Sequence, residues 1–529
     1  MKVLFASAEA YPLAKVGGLG DVAGSLPKAL RALGHDMRVV LPKYRIVRDV
    51  KEDLGPFSVG IGGGTREARL RTSSIDGVPV YLIDHPPMFD RPKVYEYGDD
   101  GKRFGFFGRA ILDMLPAAEW WPDVIHLNDW HSALAAAYLK TTHAGDARYR
   151  QMRSVLTIHN LLHQGVFGRD LFEWTGLPAE AWNPEGVEFY GQLNFLKAGI
   201  VYADRVNTVS PTYAKEIQTA EYGEKLDGLL RSRAAKLSGI LNGIDYAVWN
   251  PAKDKHLAQT YTKTPVEKKA KNKAALQREV GLAADPKAPL IGIVGRVTAQ
   301  KGFDILTPAL PDILDMGAQV VLLGTGEKKY EEPLAALAKE NPSFVAALKY
   351  DEALAHRIYA GSDFFLMPSR FEPCGLGQII SLRYGTVPIV RATGGLADTV
   401  TDVTADPKAG NGFVFAEYTT EAFLDAAKRG LEFHRKGRGW KALQQRGMAA
   451  DLSWKASAKA YADLYGRALA SLGLLLGGGT GTARSSASTF RRRATISWSF
   501  ALSSCSRCPS CWSFSRRRDR SSTECAHSS

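Results

Sequence analysis

The sequence predicts an α/β protein made of two doubly wound, Rossmann-like halves with a cleft between them and a low-complexity C-terminal tail. Three observations carry this. Short apolar runs alternate with helical stretches from residue 1 to about 245, and the same alternation restarts near Pro289. In both halves, polar or glycine-rich clusters follow directly after the apolar runs. Short strands that are apolar on both faces suit parallel sheets covered by helices. In such open sheets ligands bind outside the carboxyl ends of the strands.

In the first half the expected strands are Val3–Ala6, Met37–Leu41, Val78–Ile83, Val124–Leu127, Val155–Ile158 and Arg205–Val209. Helical patterns fall between them at Ala23–Leu33, Arg103–Leu115 and Ala133–Thr141. The second series comprises Leu290–Val294, Val320–Leu323, Phe344–Leu348, Phe364–Pro368 and Pro388–Ala392, with helices such as Ala353–Ala360 and Gly377–Tyr384. A charged helical stretch, Pro265–Val280, lies in the join. Trp454–Ala470 reads as a closing helix, broken by the glycine-rich Leu472–Gly481. The expected organisation is therefore residues 1–245, residues 246–454, a helix over 455–474, and a tail over 475–529.

At 529 residues the chain exceeds one ordinary domain, and an apolar fraction of 45% supports large cores. No apolar run approaches the roughly 20 residues that span a bilayer. Glu9 and Lys15 cut short the apolar opening, so a first strand and a cytoplasmic location are expected, with no membrane partner. Net charge is +13, but nine Arg against two acids after Gly481 supply +7 of it. The remaining +6 makes a mildly basic body suited to an anionic small substrate, and no specific nucleic-acid partner is expected. Cys374 is the only cysteine of the body, which excludes a disulfide framework there. The tail carries Cys505, Cys508, Cys511 and Cys525 among Ser and Arg. It lacks the context of an iron–sulfur or zinc site and is expected to be disordered.

The chemistry gathers at strand ends. Lys15-Val16-Gly17-Gly18-Leu19-Gly20-Asp21-Val22 joins the first strand to a helix. Glycines allow close approach, and a helix N-terminus offers free N–H groups to phosphate. Taken alone, the loop is also compatible with a simple tight turn or a dinucleotide site. A dinucleotide site requires an acidic residue ending the second strand, and Pro42-Lys43-Tyr44 stands there instead. Asn128-Asp129-Trp130-His131, His159-Asn160-Leu161 and Ser210-Pro211 follow three other strands, where capping turns are the alternative reading. From the second half come Gly295-Arg296 with Lys301-Gly302, able to converge on phosphate. Ser369-Arg370-Phe371-Glu372-Pro373-Cys374-Gly375-Leu376-Gly377 brings a carboxylate and a glycine-rich helix start. Thr393-Gly394-Gly395 adds another close-approach turn.

These motifs, in this order, resemble the glucan synthase family that comprises bacterial glycogen synthases and plant starch synthases. The resemblance spans residues 1 to about 470. It also rests on Thr157-Ile158-His159-Asn160, Gly191-Gln192-x-x-Phe195-Leu196-Lys197-Ala198-Gly199, Leu241-Asn242-Gly243-Ile244-Asp245 and Thr393-Gly394-Gly395-Leu396-Ala397-Asp398-Thr399-Val400. It implies a GT-B fold whose final helix crosses back to the first half. It also implies transfer of glucose from ADP-glucose to the non-reducing end of an α-1,4-glucan such as glycogen, with retention and without a metal or other cofactor. A silent glucan-binding protein of the same fold, and a synthase preferring UDP-glucose, are the alternatives.

Carried over by position, Lys15, His159, Arg296, Lys301 and Glu372 resemble the family's catalytic residues. Arg296 and Lys301 would clamp the diphosphate, Lys15 and Glu372 would contact the transferred glucose, and His159 would lie beside the anomeric centre. Gly17, Gly18, Asp21, Asp129, Asn160, Asn242, Cys374, Gly375, Leu376 and Gly377 resemble substrate-binding positions, and Tyr350 resembles the aromatic that stacks on adenine. One departure stands out: the position of Gly377 is commonly Thr in bacterial members.

Overall fold

The computed structural model describes residues 1–476, with side chains through residue 470. The tail expected to be disordered, with its four cysteines, lies outside the described residues. Twelve strands form in the first half: β1 (Lys2–Ala6), β2 (Asp36–Pro42), β3 (Asp53–Ile61), β4 (Gly64–Ile75), β5 (Val78–Asp84), β6 (Val124–Asn128), β7 (Arg153–Ile158), β8 (Val166–Phe167), β9 (Glu188–Phe189), β10 (Gln192–Asn194), β11 (Arg205–Thr208) and β12 (Leu237–Gly239). Nine of them make one sheet in the order β12-β11-β7-β6-β1-β2-β5-β4-β3, and β8-β10-β9 form a small antiparallel sheet.

A second sheet contains β13 (Leu290–Val294), β14 (Gln319–Leu323), β15 (Phe344–Ala347), β16 (Phe364–Met367), β17 (Val387–Arg391) and β18 (Phe413–Phe415). Its order is β15-β14-β13-β16-β17-β18, parallel throughout. The central strands of both sheets are buried along their length. That burial explains why apolar residues dominate them on both faces, with buried polar exceptions such as His126 and Thr157: helices cover both faces, so no position faces water. All eleven expected strands form, within two residues at each end.

The all-parallel expectation fails at one edge. β3 pairs antiparallel with β4, and β4 with β5. Their turns are Gly62-Gly63, with φ of 70° and 74°, and Asp76-Gly77, with φ of 46° and 82°. Both are two-residue hairpin turns that need left-handed backbone at each position, which Gly-Gly and Asp-Gly supply. Phe57, Val59, Ile61, Ala68 and Leu70 alternate inward from this hairpin. The closing helix runs Trp454–Leu476, past the expected break at Leu472.

That helix belongs to the core of the first half. Trp454, Ala458, Tyr461, Leu464, Tyr465 and Ala468 form its apolar stripe at helical spacing and join the cluster around β1, β6 and β7. The Tyr465 hydroxyl meets His126 Nδ1 at 2.8 Å, and Asn207 Nδ2 donates to the Tyr461 hydroxyl at 3.1 Å. Burial lowers His126 to about 3, so this polar network under the sheet stays neutral.

The halves also hold each other through helix ends. Asp398, in the helix Gly394–Thr399, accepts from Ser210 Oγ, Thr212 N and Thr212 Oγ1 at the start of the helix Pro211–Glu216. In return, Glu216 accepts from Gly394 N at 3.0 Å and Thr393 Oγ1 at 3.0 Å. Each helix thus caps the N-terminus of the other, satisfying donors that a helix leaves open.

Candidate active site in the cleft between the two sheets

The opening loop is built around a residue that the sequence reading passed over. Glu9 is buried, and its Oε2 accepts from the backbone N–H of Val16 at 2.6 Å and Gly17 at 2.8 Å. Its Oε1 accepts from the Tyr95 hydroxyl at 2.7 Å. The Gly17 amide is therefore engaged inside the protein. Gly18 is the first residue of the helix Gly18–Ala32, so its N–H has no intrahelical partner. Gly20 is small for packing reasons: a Cβ there would lie 3.1 Å from Lys15 Cγ and 3.2 Å from Glu9 Oε2. Lys15 Nζ pairs with Asp21 Oδ1 at 2.7 Å, so these two candidates occupy each other.

Across the cleft, a Cβ on Gly18 would sit 3.8 Å from Leu376 Cδ1. Leu376 caps the helix Gly377–Arg383, so two helix starts approach one another from the two halves. The loop before it is held tightly. Gly375 takes φ 74°, and Gly395 N donates to Glu372 O at 3.0 Å. Glu372 is buried and accepts from Lys301 Nζ at 2.5 Å and Ser369 Oγ at 3.0 Å. Arg296 is exposed, and among the described residues it makes only a long 3.4 Å contact, to Gln300 Oε1. It lines a cavity of about 460 Å³ together with His163, Tyr222 and Glu224 from the first half and Thr298 and Arg370 from the second. The Thr298 hydroxyl there is buried without a partner. Thr298 closes the strand-end cluster Gly295-Arg296-Val297-Thr298 with no role assigned to it from the sequence, and His163 follows the cluster His159-Asn160-Leu161 by two residues.

At the carboxyl ends of β6 and β7, Asp129 and His159 meet. Asp129 Oδ1 accepts from His159 N at 2.7 Å. Asn128 Nδ2 is committed to Ala6 O at 3.0 Å, so Asn128 Oδ1 accepts from His159 Nε2 at 2.9 Å. That bond puts the ring proton on Nε2 and leaves Nδ1 as an acceptor. Burial lowers His159 to about 3, so the ring stays neutral. Asn160 Oδ1 accepts from Leu162 N in a local turn.

Burial also pushes the Asp129 carboxyl up to about 7, against the opposing pull of the His159 and Asn160 amides. Between pH 4 and 7 the folded state therefore keeps a proton that the unfolded chain releases, and stability falls as pH rises through that window. Asp129→Asn retains an acceptor and tolerates the φ of 54° at this position, and it removes that slope. Urea unfolding at pH 5 and pH 7.5 should show the variant gaining about 2–3 kcal/mol on the parent. Equal pH dependence in the two proteins would remove Asp129 as the titrating group.

The remaining candidates divide. The Asn242 backbone N–H bonds to the Cys374 thiol, which burial pushes up to about 12. That thiol is inert at neutral pH. The Asn242 Oδ1 is buried and unpartnered. Tyr350 is 80% exposed and near enough to Lys15 to enter its electrostatics. Gly377 has a local reason: a Cβ there would lie 2.8 Å from Phe365 Cε1 and 3.2 Å from Met367 Sδ. In this chain those side chains fill the space that a larger residue would need. The structure does not bring Ser210 or Thr393 into the cleft, because they form the reciprocal helix caps described above.

Two sheets flanking a cleft with convergent helix starts and paired cationic side chains define the architecture of a GT-B glycosyltransferase. A family model described as the starch synthase catalytic domain matches residues 2–232. Another, described as glycosyl transferases group 1, matches residues 277–438. The chain is 50% identical over 474 residues to a glycogen synthase of Moorella thermoacetica, covering 89% of this chain and 97% of the relative. It is 45% identical to that of Thermotoga maritima, covering 89% and 100%. The catalytic domain of starch synthase IV from Arabidopsis thaliana, solved with ADP and acarbose, superposes with a TM-score of 0.84 at 36% identity, over 89% of this chain and 99% of that one. The chain belongs to the glycogen and starch synthase family of glycosyltransferases. Among the described residues, no helix is long and apolar enough to cross a membrane.

Proposed function

We propose that this chain transfers glucose from ADP-glucose to the 4-hydroxyl at the non-reducing end of an α-1,4-glucan, with retention of configuration. The observation that carries the reading is the approach of Gly18 to Leu376, the second half also supplying the Lys301–Glu372 pair and, on the wall of the adjoining cavity, Arg296. It gathers N–H groups and two cations where a diphosphate would leave. Arg296 offers a planar fork and Lys301 a point charge, and both neutralise the oxygens of departing ADP. On this reading no metal is needed, because the two side chains do what a metal does in other transferases.

The bond from the anomeric carbon to the phosphate oxygen breaks as the acceptor oxygen forms its new bond on the same face. The departing phosphate oxygen takes the acceptor proton. His159, neutral and with Nδ1 free to accept, orients a sugar hydroxyl, and its backbone carbonyl steadies the oxocarbenium-like centre. Glu372 and Lys15 hold further hydroxyls, which requires that their present partners, Lys301 and Asp21, be shared with the sugar. Asp129 and Asn160 set the loop that carries His159. Asn242 and the Cys374–Gly377 turn shape the floor, and Tyr350 stacks on adenine. The glucan lies in the cavity bounded by Tyr222, Glu224 and Arg370. A donor and acceptor of this kind support a cytoplasmic setting for the reaction.

Purified protein given radiolabelled ADP-glucose and glycogen should incorporate label into precipitable glucan, and more slowly from UDP-glucose. Glycogen binding without incorporation from either donor would identify a silent binding protein instead. Faster incorporation from UDP-glucose would reassign the donor while leaving the reaction class intact.

A further inference from the structure

A second cavity, of about 370 Å³, shares no lining residue with the cleft. Tyr246, Asn250, Lys263, Arg383 and Asp451 contribute its polar wall. Its volume is within the roughly 300–1,000 Å³ of small-molecule sites. Arg383, in the last turn of the helix Gly377–Arg383, lays its guanidinium 4.0 Å from the centre of the Tyr246 ring. Its Nε is buried with no acceptor, and its other nitrogens have none among the described residues. Arg38, Arg103, Arg205 and Arg357 also leave one buried nitrogen unpaired, but each donates through another nitrogen, to Tyr81 Oη, Val94 O, Arg467 O and Glu279 Oε1 respectively. Asp451 lines the same cavity; its Oδ1 accepts from Ser453 Oγ and Ser453 N, which with a smaller pull from Lys455 and Arg383 lower its carboxyl, and it forms no ion pair with Arg383.

A guanidinium over an aromatic ring, with its Nε buried and no hydrogen-bonded acceptor among the described residues, is prepared for a planar two-point contact with an oxyanion. We propose that this cavity binds a small phosphate group, either free phosphate or the phosphomonoester of a monosaccharide, through Arg383 with Lys263 as a second cation. The site touches both chain segments that join the halves. The Tyr246 hydroxyl accepts from Leu452 N at 2.9 Å, and Ile244 N donates to Leu452 O at 2.9 Å. A ligand that fixes Arg383 on Tyr246 therefore also fixes the tie between residues 244–246 and 450–452. The proposal stands apart from the glucosyl-transfer reading, since none of these residues lines the cleft.

Calorimetric titration of inorganic phosphate and of glucose 1-phosphate into the full chain tests it, with ADP saturating and ionic strength constant. One saturable site is expected, weakened about tenfold or more by Arg383→Gln. Ala252→Glu, at an exposed rim position, should also weaken it by charge alone. Tighter binding of glucose 1-phosphate than of phosphate assigns the phosphomonoester, and equal binding assigns free phosphate. No saturable binding at millimolar ligand, or affinities unchanged in both variants, overturns the proposal. If Arg383→Gln fails to fold, an affinity unchanged in Ala252→Glu is sufficient to overturn it.

Discussion

Lys301→Ala is expected to lower kcat for glucosyl transfer by about 10²- to 10³-fold, the scale of losing one preorganised charge-stabilising donor, or about 3–4 kcal/mol. The structure adds a second consequence. Lys301 is the cationic partner of Glu372, which is 5% exposed and keeps only Ser369 Oγ when the ammonium is gone. A buried carboxylate left with a single neutral donor is destabilised, so the variant should also unfold at lower urea. Arg296→Ala separates the two effects. Arg296 is exposed and makes no ion pair among the described residues, so its loss should slow transfer by a similar factor with the urea midpoint unchanged. Near-parental rates in both variants would remove the diphosphate clamp.

The second large effect is expected at Glu9. Glu9→Ala strips a buried carboxylate from Val16 N, Gly17 N and the Tyr95 hydroxyl. Charge-assisted bonds of this kind contribute about 1.5–3 kcal/mol each, and the donors left behind stay unpaired, so a loss of about 3–5 kcal/mol is expected. The loop that presents Gly18 loses its anchor, and kcat/KM should fall along with stability. Glu9→Gln keeps an oxygen for the two amides and gives Tyr95 a donor to accept from. It should recover most of both quantities. Denaturant unfolding and steady-state kinetics on the pair check this. If Gln were as damaging as Ala, the carboxylate charge, rather than the hydrogen-bond geometry, would be the operative feature.

The strands were legible because burial on both faces leaves a mostly apolar run, unbroken in β16 and interrupted by His126 in β6 and Thr157 in β7. The edge hairpin was missed although its signals are present: Gly62-Gly63 and Asp76-Gly77 are hairpin turns by composition. Its strands face water on one side, so their alternation is diluted by Arg and Ser. The helix Phe303–Asp315 was obscured by Pro308 and Pro311. In the site, the residue types and their clusters could be read, but their pairings could not. Lys15 with Asp21, and Lys301 with Glu372, are six and 71 positions apart. Glu9 carries no motif, because a lone acid near a strand end looks the same whether it points to water or to a loop's amides. Ser210-Pro211 allowed a capping reading and Thr393-Gly394-Gly395 read as a close-approach turn, and only the packing of the two halves revealed that both are helix starts completed by the other half.

That mutual completion bears on what the halves are as units. At the start of Pro211–Glu216, Thr212 N is satisfied by Asp398 while Tyr213 N goes to Ser210 Oγ, and at the start of Gly394–Thr399, Gly394 N is satisfied by Glu216. Separated, each half would expose the same defect, a frayed helix beside its own strand ends. The two sheets therefore resemble a pair of interlocked parts more than two interchangeable modules. A chimera that exchanges one half for that of another glycosyltransferase inherits an acid with no helix to cap and a helix with no acid to cap it. Transplanting Ser210–Glu216 together with Thr393–Asp398, as one epitope, is the smallest exchange that keeps the joint whole.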